Sequence, residues 1–335
     1  MQIHHKLCYQ SKICQVLNEL SACIIARRIF LAFNGDWILA SELELLKEAG
    51  SLPMARVPVL QADLAGVALT SPDPVKLVKF YEHILQYTGK MSGDQWIGQR
   101  DLRWLTVGPG SAKNLAYTAL SVPDERSLLQ LQDRLTQASI EFSEMPAAVL
   151  LGKAITFADP DGNRLIFGVR DAESAIDIDS ASPAPARLQH VVFATDAAAA
   201  MVRFYCDVIG FAPLDYVKDT DGDLTSAFLN CGADHHSIAI FRAAGKRLDH
   251  LCFDVDNWSH IRDWADWFGQ HHISLRWGPG RHGPGNNLFF FVNDPDDNWL
   301  EFSAELEQVD GTRPLVTWAH EERTLNSWGS AFLRS

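Results

Sequence analysis

Leu188-Gln189-His190-Val191-Val192 repeats Leu64-Ala65-Gly66-Val67-Ala68 at an offset of 124 residues. Both stretches are short and apolar, as strands are, and a turn rich in capping residues follows each: Thr195-Asp196 and Ser71-Pro72-Asp73. Apolar residues at helical spacing come next, ending in Phe204-Tyr205-Cys206-Asp207-Val208-Ile209 and Phe80-Tyr81-Glu82-His83-Ile84-Leu85, still 124 apart. Further on, Leu248-Asp249-His250-Leu251-Cys252 matches Leu115-Ala116-Tyr117-Thr118-Ala119 at an offset of 133. A second helix is predicted in each half, over Ser259 to His271 and Glu125 to Ala138. Asp294-Pro295-Asp296 and Asp159-Pro160-Asp161 then join two apolar runs apiece, strand–turn–strand, at an offset of 135. The widening offset places small insertions in loops of the later copy. Each half therefore reads as strand–helix–strands twice over, an α+β module with a curved sheet.

Outward from the repeat, the predicted organisation has five parts. Residues 1–60 match nothing later; Val16 to Phe33 and Glu42 to Glu48 look helical, the latter opened by a Ser41 cap. The first module covers 61–172, an exposed connector rich in Asp, Ser, Ala and Pro covers 173–187, the second module covers 188–305, and a tail covers 306–335. The tail's Thr317-Trp318-Ala319-His320-Glu321-Glu322 has no role derivable from sequence.

Composition narrows the function. A chain of 335 residues with 47% hydrophobic and 21% charged residues can bury the cores of two domains. A formal charge of -13 without a dense basic run argues against nucleic acid. Six cysteines without a CxxC pair suit incidental thiols in a reducing cytoplasm. The first residues lack the charged-then-apolar pattern of a signal peptide. Glu19, Arg27 and Arg28 interrupt the one apolar run near it, so neither export nor membrane insertion is expected.

The repeat also supplies a control for chemistry. His190, His250 and Glu301 fall where the first half has Gly66, Tyr117 and Ile166. A requirement of the fold alone would have kept the same residues in both halves. Two neutral imidazoles and a carboxylate on one face form the ligand set that suits Fe(II), with positions open to substrate and oxygen; Mn(II) suits it too, because divalent affinities overlap.

The chain resembles the two-module type I extradiol ring-cleaving dioxygenases of the vicinal oxygen chelate superfamily over roughly residues 62 to 305. The residues that carry the resemblance are Leu188-Gln189-His190, Leu248-Asp249-His250, Asp234-His235-His236-Ser237-Ile238-Ala239, Arg281-His282, Asp294-Pro295 and Glu301. It implies tandem modules of paired βαβββ repeats, each curved around a cavity, with only the later one binding metal. His190, His250 and Glu301 would be its ligands. His236 would be the acid–base histidine, rather than His235, since Ser-Ile-Ala-Ile after it keeps the strand pattern. His235 would be its neighbour at the substrate pocket, and His282 a histidine near the substrate's bound oxygen. The implied reaction cleaves a small aromatic diol with O2, in an enzyme that assembles from copies of itself.

Two departures stand out. Phe291 occupies the place, ten residues before Glu301, where the family normally has a tyrosine, so one polar anchor is lost. Asp297 replaces the usual glycine of the turn, a neutral change because Asp tolerates left-handed backbone. Aromatic residues available for pocket walls include Trp258, Trp264, Trp267, Phe289, Phe291 and Trp299, although a helix carries most of the tryptophans. Gly278-Pro279-Gly280-Arg281-His282-Gly283-Pro284-Gly285 lacks the strand-to-helix context of a phosphate loop and reads as a tight loop that brings His282 over the metal. Two rivals remain. A glyoxalase-like isomerase or epimerase would need a fourth ligand, and no further acid stands at a repeat-matched position; a metal-free small-molecule binder would leave the trio unexplained.

Overall fold

The computed structural model describes residues 31–33, 36–38, 51–54, 57–100, 102–145, 151–170 and 183–333. The chain forms two units, Met1–Glu48 and Ala49–Ser335. In the first, β1 (Leu31–Phe33) pairs antiparallel with β2 (Asp36–Ile38). The predicted helix through Phe33 therefore does not hold at its end, where Asn34-Gly35 is the dipeptide that favours a hairpin. The rest of that helix, the one at Glu42 to Glu48 and the Ser41 cap lie outside the described residues. The described part of 51–60 contains no helix and belongs to the second unit, where Val59 and Leu60 donate backbone N–H groups to Gly210 O.

The second unit holds both modules. In the first come β3 (Asp63–Ser71), α1 (Pro74–His83), β4 (Thr88–Ser92), β5 (Gln95–Arg100) and β6 (Arg103–Pro109). The pattern recurs as β7 (Asn114–Val122), α2 (Glu125–Gln137), β8 (Ser143–Met145), β9 (Leu151–Ala158) and β10 (Arg164–Arg170). The second module repeats both passes. Its first comprises β11 (Arg187–Thr195), α3 (Ala198–Arg203, running on as a π-turn over Phe204–Ile209), β12 (Ala212–Lys218), β13 (Leu224–Asn230) and β14 (Ile238–Arg242). Its second comprises β15 (Arg247–Val255), α4 (Trp258–Gln270), β16 (Trp277–Arg281), β17 (Leu288–Asn293) and β18 (Trp299–Ala304). The tail adds β19 (Val316–Ala319) and α5 (Glu322–Leu325).

Sheet order explains why distant residues meet. The first module runs β4-β5-β6-β3-β7-β10-β9-β8, and the second runs β16-β17-β18-β15-β11-β14-β13-β12-β19. In each, the opening strands of the two βαβββ passes pair antiparallel at the centre, β3 with β7 and β11 with β15. Helix starts follow the sequence: Asp73, Asp124 and Asn257 cap α1, α2 and α4 through side-chain oxygens. At α3 the cap position is Ala197, and Thr195 Oγ1 instead accepts the Ala197 N–H.

The modules share one core, in which Leu64, Val67 and Leu120 pack in the same apolar cluster as Leu188, Val191 and Leu251. They also exchange equivalent contacts. Tyr81 OH donates to Asp294 Oδ2 and Tyr205 OH to Asp159 Oδ2, each at 3.1 Å. Trp267 Nε1 donates to Ile84 O, and Arg134 Nε donates to Val208 O. Residues 171–182 of the connector lie outside the described residues. Its described end is only partly exposed: Pro185 is exposed, Pro183 and Ala186 are buried, and Ala184 O accepts the Trp264 indole N–H.

Candidate functional site

His190, His250 and Glu301 sit on three adjacent strands, β11, β15 and β18. In the ladders, His190 lies opposite Cys252 and Cys252 beside Glu301, so residues far apart in sequence share one patch of the concave face. His190 Nε2 is 3.3 Å and His250 Nε2 3.1 Å from the same oxygen, Glu301 Oε2. All three side chains are buried, Glu301 being 1% exposed.

The far side of each ring shows which nitrogen carries hydrogen. Gln189 Nε2 donates to His236 O and Asp234 Oδ2, so its Oε1 is free to accept from His190 Nδ1 at 2.5 Å. Asp249 Oδ1 accepts from His250 Nδ1 at 2.6 Å. Both Nε2 atoms then present lone pairs to a carboxylate oxygen, in a buried place where like partial charges repel. A cation among them turns repulsion into coordination, and neutral imidazoles backed by a carbonyl or carboxylate are the usual metal-ligand arrangement. Glu301 Oε1 is engaged elsewhere, accepting from Asn287 Nδ2 at 3.0 Å, while Asn287 also donates to Ser303 Oγ. The donor set fits a divalent metal.

Cys252, two residues after His250 on the same face of β15, brings its sulfur within 4.8 Å of the His190 and Glu301 donor atoms. Burial, reinforced by the Glu301 charge, holds its thiol well above the ordinary range. His250, by contrast, offers Nε2 with its Nδ1 already held by Asp249, the backing usual for a ligand imidazole. His250 is the better third donor.

His236 lies with its ring centroid 4.3 Å from that of His190. Burial, with His190 and His235 beside it, pushes its pKa well below the usual histidine value, so it is neutral near pH 7. His282 Nε2 is 3.4 Å from Glu301 Oε1, and its ring stacks on Phe289 at 3.8 Å. His235 does not reach the pocket expected for it. It is 0% exposed and stands behind His236, Nδ1 to Nδ1, at 3.0 Å. Both histidines precede β14, which begins at Ile238, so no strand pattern told from sequence which of the two rings faces the cleft.

A small cleft lies above these groups. Val192, Phe228, Phe241 and Phe291 wall it, and the Phe291 ring meets the His250 ring edge-on at 5.1 Å. Of the other proposed aromatics, Trp264 and Phe289 are buried in packing, Trp267 binds the first module, and Trp258 lies against Trp328. Trp277, not singled out from sequence, lines the cleft and stacks on Phe291 at 5.2 Å. The supposed tight loop is in part an edge strand, β16, and a 3-10 turn at Pro284–Asn286 completes the approach to His282.

The tail, which has no repeat partner, supplies the roof. Leu325 and Phe332 line the cleft, Leu325 O accepts from His282 Nδ1, and Ser330 O accepts from the Trp277 indole. Asn287 was likewise missed, because an amide in a glycine-rich turn carries no spacing signal. Asp297 adopts φ 66°, in the left-handed region its turn requires.

Comparison with known proteins agrees with this geometry. Residues 187–302 match the Glyoxalase/Bleomycin resistance protein/Dioxygenase superfamily. Metapyrocatechase 2 of Cupriavidus necator is 26% identical over 254 residues, covering 68% of this chain and 75% of that protein. The iron-dependent extradiol dioxygenase of Rhodococcus jostii is 27% identical over 252 residues, covering 68% and 81%. Homoprotocatechuate 2,3-dioxygenase of Brevibacterium fuscum, solved with 3,4-dihydroxyphenylacetate, superposes with a TM-score of 0.72 at 20% identity over 84% of this chain and 93% of that one. The chain thus carries, over residues 187–302, a domain of the Glyoxalase/Bleomycin resistance protein/Dioxygenase superfamily, within a fold shared with extradiol dioxygenases and among relatives named for that activity.

Proposed function

We propose that this protein is an extradiol dioxygenase that opens the ring of a catechol-type substrate with O2 at one Fe(II) held by His190, His250 and Glu301. The observation that carries the proposal is the convergence of two hydrogen-free Nε2 atoms on Glu301 Oε2 at the floor of an apolar cleft. Iron bound there would supply adjacent open positions for the diol oxygens and O2, and with them the electron transfer that ring cleavage beside the diol requires.

The protein's own groups do the rest. His236, which lines the cleft with its ring 4.3 Å from that of His190, can take a proton from the diol and return it to the opened ring. His282, fixed by Leu325 O and by stacking on Phe289, presents Nε2 toward the Glu301 side of the cleft. Phe291 and Trp277 give the substrate ring a flat apolar wall, and the tail keeps water out from above. Among the described residues no lysine or arginine lines the cleft, which favours a diol with uncharged substituents. The free, buried Cys206, Cys231 and Cys252 suit a reducing compartment such as the cytoplasm.

The test is anaerobic purification and loading with Fe(II) or Mn(II), metal analysis, and an oxygen-electrode screen of catechols. We expect one metal per chain, oxygen uptake and a yellow ring-opened product. Failure to bind either metal would favour a sequestering protein, and metal binding without oxygen uptake would favour an isomerase-type reaction.

A further inference from the structure

Behind His236 lies a buried chain of polar groups that neither the metal site nor the cleft accounts for. His235 Nδ1 and His236 Nδ1 are 3.0 Å apart, so one of them donates hydrogen to the other. At the opposite edge of the His235 ring, Nε2 is 3.0 Å from Asp215 Oδ2 and 3.9 Å from Glu307 Oε2. Asp215 is 0% exposed and is gripped through both oxygens by Arg313 Nη2 at 3.0 and 3.2 Å. Arg313 Nε also holds both oxygens of Glu307, whose backbone O accepts the His235 N–H.

We infer that His235, with Asp215 behind it, is a positioning residue that holds His236 in the tautomer with hydrogen on Nδ1. The reasoning is electrostatic. His235 Nε2 makes no aligned hydrogen bond, yet the charges set beside it are carboxylates, which draw the ring's hydrogen to Nε2 rather than Nδ1. His235 Nδ1 is then a bare acceptor, and the hydrogen between the rings comes from His236. That leaves His236 Nε2, the nitrogen not engaged with His235, as the lone-pair atom of a ring that lines the cleft. A free histidine prefers the opposite tautomer, and the difference decides whether the ring can accept a proton from substrate without first losing one.

The other module shows that the fold does not demand this arrangement. The places matching Asp215, His235 and His236 in the strand ladders there hold Lys90, Leu102 and Arg103, and Lys90 and Leu102 are exposed. In the second module, residues from the tail cover these positions and bring the arginine that makes a buried aspartate tolerable.

The inference rests on His236 handling protons in the proposed reaction, and the test keeps the two questions apart. Two-bond 1H–15N correlation spectra of the metal-free, full-length protein with 15N-labelled histidine report the tautomer directly, His236 being assigned by the signal lost in His236→Gln. Wild type should show hydrogen on Nδ1, and His235→Asn, which keeps an acceptor near Nδ1, should preserve it. His235→Leu should shift His236 to the Nε2–H form. In the iron-loaded enzyme, its kcat should fall by about 10-fold or more, with KM and iron content unchanged. Hydrogen on Nε2 in wild type, or full kcat in His235→Leu, overturns the inference. If His235→Leu fails to fold, the wild-type and His235→Asn spectra decide. If no catechol is turned over, the functional reading falls while the spectrum still answers for the tautomer.

Discussion

The two modules of the second unit have the same strand order and opposite contents. In the later one, His190, His250 and Glu301 surround an open cleft. In the earlier one the matching residues are Gly66, Tyr117 and Ile166, and Trp104, 0% exposed, fills the space. The indole lies so close over Gly66 that a Cβ there would come within 2.4 Å of it. Its N–H points to Tyr117 OH at 3.3 Å, and Ile166 packs in the same small cluster. The residue matching Trp104 in the later module is Ser237. The supporting residues differ as well: Gln189 and Asp249, which fix the ligand imidazoles, correspond to Ala65 and Ala116. A site has been kept, or lost, as a whole, with ligands, their supports and the room above them changing together.

Moving residues from the earlier module into the later one should break the contrast most sharply at the carboxylate. Glu301→Ile should abolish metal binding in elemental analysis. It should lower activity by more than about 100-fold, since changes behind the ligands alone already cost about 10- to 100-fold. The reverse side of the comparison is stability. Trp104→Ala should destabilise the protein by about 3–5 kcal/mol in denaturant titrations, as expected for emptying a large core site, while the kcat of any folded enzyme stays unchanged.

The exchanged Tyr–Asp contacts give a third measurement. Burial, working against several donors, pushes Asp159 and Asp294 up to about 6. A carboxyl whose folded pKa exceeds its unfolded value binds its proton more tightly when folded. Its contribution to stability is complete below about pH 4 and is lost as pH rises through about 6. Each site should cost roughly 3 kcal/mol across that window, and Asp159→Asn and Asp294→Asn should each flatten the pH–stability curve by a similar amount. Unequal flattening would show that the modules are less alike than their shared core suggests. The smallest effect is expected from Asp249→Ala, which installs the counterpart's alanine: metal affinity should fall by about 10- to 100-fold in competition with a chelator.

Much of this was legible in the sequence because the duplication acts as an internal reference. Offsets of 124, 133 and 135 aligned the strands, and three of the positions where the copies differ carry the candidate ligands. What lacked a counterpart could not be read. The tail roof formed by Leu325 and Phe332 has no repeat partner, and Trp277 and Asn287 lie where loop lengths differ. His235 was taken for a pocket residue because its burial depends on Arg313 and Glu307, which arrive from beyond the repeat. Trp104 was invisible for a related reason: only the β3–β6 ladder, which places it beside Gly66, reveals what it fills.

The crossed tyrosines also bind each module's integrity to the other's. Each hydroxyl finds its acceptor in the sister module's turn, so a gene trimmed to residues 183–335 would encode a product with Tyr205 and Asp294 both deprived of their mates and half an oily interior laid bare. Economy of coding length is thereby closed off: neither half can be shed without unmaking its twin.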